Sequence, residues 1–155
     1  MDELAFREVT DENFRAVVAL SDTLSDAQKK CVASNLKSLA QAYLHREHAW
    51  PRAVYLGETA IGFVMLDLDP EAIPEADRPA DYLWRFMIAG PHQGKGYGRR
   101  VLDMLVAKGR AEGKKTLYLS CDTEGPMPYR FYIAYGFVDT LRREDDEEIL
   151  KYEIG

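Results

Sequence analysis

Three glycines at every second position, Gly94, Gly96 and Gly98, follow an apolar run and precede two arginines. Glycine accepts backbone conformations that aim successive N–H groups at a common point, and such a turn forms a nest for an anion. A helix that begins there adds unpaired first-turn N–H groups and roughly half a positive charge. Residues 86–100 therefore read as a strand, a phosphate-binding turn and a helix start. Two familiar turns are excluded by spacing. A dinucleotide fingerprint needs G-x-G-x-x-G, and here one residue is missing. Its position past mid-chain also leaves too little sequence for a doubly wound domain. A nucleoside-triphosphate loop needs four residues between its glycines, then Lys and Ser/Thr. Gly90 and Gly94 enclose fewer than that, and Gly96 stands where the hydroxyl would bind magnesium.

The turn resembles the pyrophosphate-binding motif of the GNAT superfamily of acyl-CoA N-acyltransferases, Q/R-x-x-G-x-G/A, written here Gln93-Gly94-Lys95-Gly96-Tyr97-Gly98. A second landmark, Phe131-Tyr132-Ile133-Ala134-Tyr135-Gly136-Phe137, resembles the aromatic-Tyr pair and following Gly-Phe of that family. The resemblance implies acetyl-CoA as co-substrate and no metal. It places pantetheine along the backbone of Phe86, Met87 and Ile88, and the pyrophosphate on the amides of Gln93, Gly94, Lys95, Gly96, Tyr97 and Gly98. Lys95, Arg99 and Arg100 would add charge toward the phosphates.

The implied reaction is attack of a neutral amine on a thioester. An alkylammonium with a pKa near 10.4 is neutral in roughly one part in 2500 at pH 7, about 4.6 kcal/mol uphill. A base must therefore favour deprotonation, and an acid must meet the leaving thiolate. The resemblance gives the acid to Tyr132. For the base, the strand position that carries Glu in histone-type members holds Tyr82 here, so a water chain or the adjacent Asp81 is the expectation. A family Asn about seven residues before the tyrosine is replaced by Gly125.

Further segments resemble the bacterial spermine/spermidine N-acetyltransferase branch. They are Cys31-Val32-Ala33-Ser34-Asn35, Ser38-Leu39-Ala40-Gln41-Ala42-Tyr43, Ile61-Gly62-Phe63-Val64-Met65 and Trp84-Arg85-Phe86-Met87-Ile88. They imply a polyamine acceptor, with Asn35, Tyr43, Glu47, Asp67, Asp81 and Trp84 as candidate groove residues. Other acceptors stay open: a protein N-terminus, an amino acid or an antibiotic amine. A non-catalytic acyl-CoA-binding regulator is the reading from outside enzymology. His45 and His48 have a metal-compatible spacing without a third ligand nearby.

The elements that must position these residues are legible in pattern. Residues 4–9 read as a strand. Thr10 caps a helix with Asp11 and Glu12 in its first turn. Ser25 and Gln28 form a capping box for a second helix with the stripe Val32, Leu36, Leu39 and Tyr43, closed by Pro51. Residues 53–56 and 61–66 flank Gly57-Glu58-Thr59 as a hairpin, and 67–81 read as a surface loop. Residues 82–89 are the strand entering the turn. Residues 98–112 are the helix leaving it, with Val101, Leu102, Leu105 and Val106 inward and Gly113 at its end. Residues 116–121 are a strand, Pro128 opens a short helix ending at Gly136, and 137–141 pairs with 148–154 around an acidic turn. The run 144–148 reads as solvated. The resemblance orders these as an α+β GNAT fold: a mixed, mostly antiparallel sheet of about seven strands flanked by about four helices, in a single domain over residues 1–155.

Nearly half the 155 residues are hydrophobic and the net charge is −6. That supports a packed core, disfavours a nucleic-acid partner and suits a cationic one. The absence of a basic leader and of a membrane-length apolar run, with Cys31 and Cys121 outside any metal or redox spacing, points to the cytoplasm. The C-terminal hairpin offers an edge through which a homodimer could form.

Overall fold

The computed structural model describes residues 3–124 and 128–155. The strands are β1 (Leu4–Arg7), β2 (Ala49–Leu56), β3 (Thr59–Asp67), β4 (Ala80–Ile88), β5 (Thr116–Cys121), β6 (Val138–Glu144) and β7 (Glu147–Glu153). The helices are α1 (Phe14–Leu20), α2 (Asp26–Cys31), α3 (Asn35–Leu44), α4 (Tyr97–Ala111) and α5 (Pro128–Tyr135). The strands form one seven-stranded sheet in the order β1-β2-β3-β4-β5-β7-β6. Only β4 and β5 are parallel; every other pair is antiparallel. This is the mixed sheet that the sequence predicts. Among the described residues no helix is long and apolar enough to cross a membrane.

Both faces of the sheet centre are covered. On one face α4 contributes Val101, Leu102, Leu105 and Val106, with Tyr132 of α5, to a core with Ile61, Val64, Leu66, Leu83, Leu117 and Leu119. On the other, Val17, Leu24 and Ala42 pack on Ala53, Tyr55, Phe63, Met65 and Met87. A strand buried on both sides loses polar alternation, and β3 reads as an apolar run for that reason.

Three local readings change. The helix opened by Ser25 breaks at Val32, whose backbone is extended, and Ser34 starts α3 by accepting from the Lys37 amide. The restart shifts the phase of the inward stripe. Asn35, Ser38 and Ala42 face the core, whereas Leu36 and Tyr43 are exposed. Their small size lets α3 lie close to its neighbours. Pro51 does not close a section; it lies inside β2, opposite Met65. β1 reaches β2 only from Ala53 onward. Pro51 thus sits where β2 is locally an edge, and its missing N–H breaks no ladder bond.

Candidate active site

β5 pairs with β4 only at Ala80↔Thr116, Asp81↔Leu117 and Tyr82↔Tyr118. Beyond these the two strands part. β4 continues to Ile88 against β3, and β5 continues to Cys121 against β7. A register shift between Met65↔Arg85 and Leu66↔Leu83 makes Trp84 a bulge at the point of divergence. A bulge bends its strand and re-aims side chains, and this one turns β4 out of the parallel ladder. The β5-facing edge of residues 83–88 is therefore unpaired by any strand. Such an edge can receive the amides of an extended ligand as a strand would. Met87 places its side chain in the core, 5 % exposed. Its contribution to that edge is main chain.

The turn after β4 is held open. Gly94 and Gly96 have φ of +74° and +86°, and a Cβ on either would meet nothing within 4 Å. Among the described residues, the N–H groups of residues 94–99 have no acceptor in the chain. Gly96 caps α4 in the left-handed conformation with no side-chain cap, leaving the first-turn donors free. The surroundings brace the turn. Gln93 Nε2 donates to the Ile88 carbonyl at 2.8 Å and its Oε1 accepts from Gln28 of α2 at 3.0 Å. The Gly90 amide donates to Thr23 Oγ1 at 2.8 Å. Gly98 packs closely: a Cβ there would lie 3.1 Å from Phe131 Cζ, so the ring would have to shift by a few tenths of an ångström. Lys95, Arg99 and Arg100 fringe the turn, and among the described residues none has an ion-pair partner.

Tyr132 lies on the α4 side of the sheet, 8 % exposed, with Phe131 and Phe137 at ring-centroid distances of 5.3 and 5.4 Å. Burial pushes its phenol far above the ordinary tyrosine range, with a smaller push from Cys121. The hydroxyl therefore keeps its proton at neutral pH. Gly125 lies outside the described residues.

The expected base and most of the expected acceptor residues are corrected by the structure. Asp81 is 1 % exposed and pairs with Lys114 Nζ at 3.0 Å, on the face that α4 covers. Burial raises its carboxyl and Lys114 pulls it back. Its ladder partner Leu117 places it in the zipped part of the parallel pair, below the opening. It anchors the end of α4 and does not reach the cleft. Asp81→Asn is expected to cost about 3 kcal/mol by leaving a shielded ammonium unpaired. Turnover of the folded enzyme should stay within about twofold, because the residue is remote from the reacting atoms. Denaturant melts and thiol-release rates check this. A drop of about tenfold or more in kcat at unchanged stability would return Asp81 to the chemistry.

Asn35 is 1 % exposed and donates through Nδ2 to the Val17 carbonyl at 2.8 Å, bracing α3 against α1. Tyr43 is 67 % exposed beneath the Arg46 guanidinium, and Glu47 stands exposed in the turn after α3. Asp67 accepts from His48 Nδ1 at 2.8 Å through Oδ1, at the far end of β3 from the glycine turn. Trp84 alone of the expected acceptor residues lies beside the opening, edge-on to His45 at 5.8 Å.

The residues that do line this face carry no motif. Tyr82 opposes Tyr118, Ser120 opposes Ile149, and Glu147 lies two residues before Ile149. Alternation along strands puts Tyr82, Ser120 and Glu147 on one face, opposite that of Cys121. Ser120 Oγ donates to Glu147 Oε1 at 2.8 Å. Arg85 donates through Nη2 to Gln41 Oε1 at 2.7 Å and through Nη1 to the Trp84 carbonyl at 3.0 Å, tying the bulge to α3. Burial pushes the Tyr82 phenol up to about 12; the Ser120 hydroxyl pulls it down, and the charges of Glu144 and Glu147 push it further up. Burial, then Asp122 and Glu147, raise the Cys31 thiol. The acidic run 144–148 is thus not simply solvated. Glu147 and Glu148 are half-buried, whereas Asp145 and Asp146 are exposed.

A mid-sheet opening that runs into an amide-lined turn at a helix start defines an acyl-CoA N-acyltransferase fold. The chain belongs to the acetyltransferase (GNAT) family, whose profile matches residues 9–137. It is an acetyl-CoA-dependent N-acetyltransferase. The spermine/spermidine N(1)-acetyltransferase of Bacillus subtilis (strain 168) is 30 % identical over 130 residues, covering 83 % of this chain and 84 % of that one. The fold is similar to an acetyltransferase from Thermus thermophilus, with a TM-score of 0.72, 21 % identity and 99 % of each chain covered. It is also similar to the PaiA N-acetyltransferase of Thermoplasma acidophilum in complex with coenzyme A, with a TM-score of 0.67 and 14 % identity over 97 % of this chain and 99 % of that one.

Proposed function

We propose that this enzyme transfers the acetyl group of acetyl-CoA to a primary amine of a polyamine such as spermidine or spermine, by direct attack of the amine on the thioester. The observation that carries the reading is the division of charge across the opening. Lys95, Arg99 and Arg100 fringe the glycine turn, while Asp122, Glu144 and Glu147 gather where β5 meets the β6–β7 hairpin. A dianionic diphosphate suits the first end and a polycation the second. The name of the Bacillus relative agrees with this acceptor class.

In this reading the pyrophosphate lies on the amides of residues 94–98, the Gln93 amide being spent on the Gly90 carbonyl at 3.2 Å, and Lys95, Arg99 and Arg100 screen its charge. Pantetheine runs along the main chain of Phe86, Met87 and Ile88. Trp84 flanks the methylene stem of the acceptor. The amine approaches from the face of Tyr82 and Ser120, and Tyr132 meets the sulfur from the other. The opening between β4 and β5 connects the two faces, so nucleophile and leaving group are served from opposite sides.

Purified enzyme with acetyl-CoA is expected to release free thiol with spermidine or spermine at a kcat/KM at least about tenfold above that with a lysine peptide, a difference of about 1.4 kcal/mol in transition-state binding. Peptide acetylation without polyamine acetylation would overturn the acceptor. Stoichiometric acetyl-CoA binding without thiol release from any amine would indicate a regulator instead.

A further inference from the structure

We propose that Glu147 is the carboxylate that holds the acceptor ammonium and takes its proton. This rests on the reading of the chain as a polyamine acetyltransferase and supplies the base which that reading lacks.

The β4 position that could carry a basic carboxylate holds Tyr82, a phenol that keeps its proton at neutral pH. The adjacent carboxylate, Asp81, lies on the other face in a closed pair with Lys114. The base must therefore come from another strand. The sheet order supplies one, because β7 inserts between β5 and β6 and brings its first residue beside the free end of β5. Glu147 is that residue. Its carboxylate is pinned through Oε1 by Ser120, while Oε2 has no hydrogen-bond or ion-pair partner among the described residues. One oxygen is thus positioned and the other is left to act.

The remaining acids on this face are less suited. Asp122 Oδ1 accepts from the Glu124 amide at 2.8 Å, which turns it into its own loop. Glu144 is exposed at the end of the edge strand. The charged and titratable groups around Glu147 are Tyr82 and Arg85 of β4, Cys121 and Asp122 at the end of β5, Glu144 of β6 and Cys31 of α2. Arg85 faces the carboxylate from across the opening, and the neighbouring acids draw a polycation in.

An N–H bond of the ammonium breaks, its electron pair stays on nitrogen, and the proton passes to the free oxygen of Glu147. The neutral amine attacks the thioester carbon, the C–S bond breaks and sulfur leaves with the pair. The second amine proton reaches sulfur past the Tyr132 hydroxyl, and Glu147 returns its own proton to solvent.

Glu147→Gln keeps the shape and the Ser120 contact but cannot accept a proton. Its kcat/KM for spermidine is expected to fall about 100-fold at pH 7. The deficit should shrink to within about fivefold by pH 10, where the free amine supplies itself. Ser120→Ala should show the same trend with a loss of about tenfold, because the carboxylate remains but is no longer pinned. Glu153→Gln, which removes an equal charge from the far end of β7, should stay within about twofold. Acetyl-CoA affinity, measured by calorimetry, should be unchanged in all three, showing that each is folded. A deficit in Glu147→Gln that is absent, or equal at pH 7 and pH 10, overturns the inference. If instead the wild-type enzyme releases no thiol with any polyamine, the acceptor reading falls first and this inference with it.

Discussion

Gly96→Val is expected to weaken acetyl-CoA binding by at least about 100-fold while leaving the protein folded. Valine at φ +86° is doubly disfavoured, since an L-residue there costs about 1–2 kcal/mol and β-branching adds to it. No neighbour would clash, because the space around a Cβ is empty. The strain is therefore released by turning the local backbone, and the amides of the turn lose their common aim. Each charge-assisted hydrogen bond to a diphosphate is worth about 1.5–3 kcal/mol, so losing two of them gives about 100-fold or more. Gly113→Val is the control. Gly113 also has positive φ and open space, at +77°, but it ends α4 far from the turn. It should lower the melting temperature comparably and leave affinity alone. Calorimetry on both variants decides. Equal affinity for wild type and Gly96→Val would remove the cradle from cofactor binding.

Much of this architecture was legible because short-range chemistry wrote it. The glycine turn, the inward stripe of α4 and the Ser25–Gln28 capping box are local patterns, and each is found at its expected residues. The β4–β5 opening was reachable only through family resemblance, since nothing in residues 80–88 or 116–121 announces where a parallel ladder will stop. The face proposed for the acceptor was missed for a topological reason. Glu147 meets Ser120 because the C-terminal hairpin turns back and inserts its second strand next to β5. The run 144–148 carries no sign of that insertion, and acids in a turn read as solvent-facing. Asn35 and Tyr43 were misplaced by a single event, the break at Val32, which changed which side of α3 looks inward. Asp81 looked available because burial and a partner 33 positions along the chain cannot be read from its neighbours. The errors cluster where long-range pairing decides exposure, which is also where the acceptor is proposed to bind.

Removing one oxygen atom, Tyr132→Phe, is expected to lower kcat by about 100-fold with acetyl-CoA affinity held within about threefold. The ring contacts with Phe131 and Phe137 survive the change, so the helix that carries the residue has no reason to move. No hydrogen bond of the hydroxyl is found among the described residues, so its removal breaks none of them. The melting temperature should therefore stay level or rise while turnover collapses, a split that a packing role cannot produce. The direction of the phenol's shift refines the chemistry. A hydroxyl pushed well above its usual range is a poor source of a free proton for a thiolate whose conjugate acid lies near 8.5, by analogy with cysteine. The contribution proposed for it is a hydrogen bond to sulfur as charge develops, with the amine proton delivered along it as the C–S bond opens. Acetyl donors whose thiols are more acidic need that hydrogen bond less, so the deficit of Tyr132→Phe should narrow as leaving-group acidity increases. A deficit that stays constant across a series of such thioesters, or a kcat within about threefold of wild type, would place the donor elsewhere.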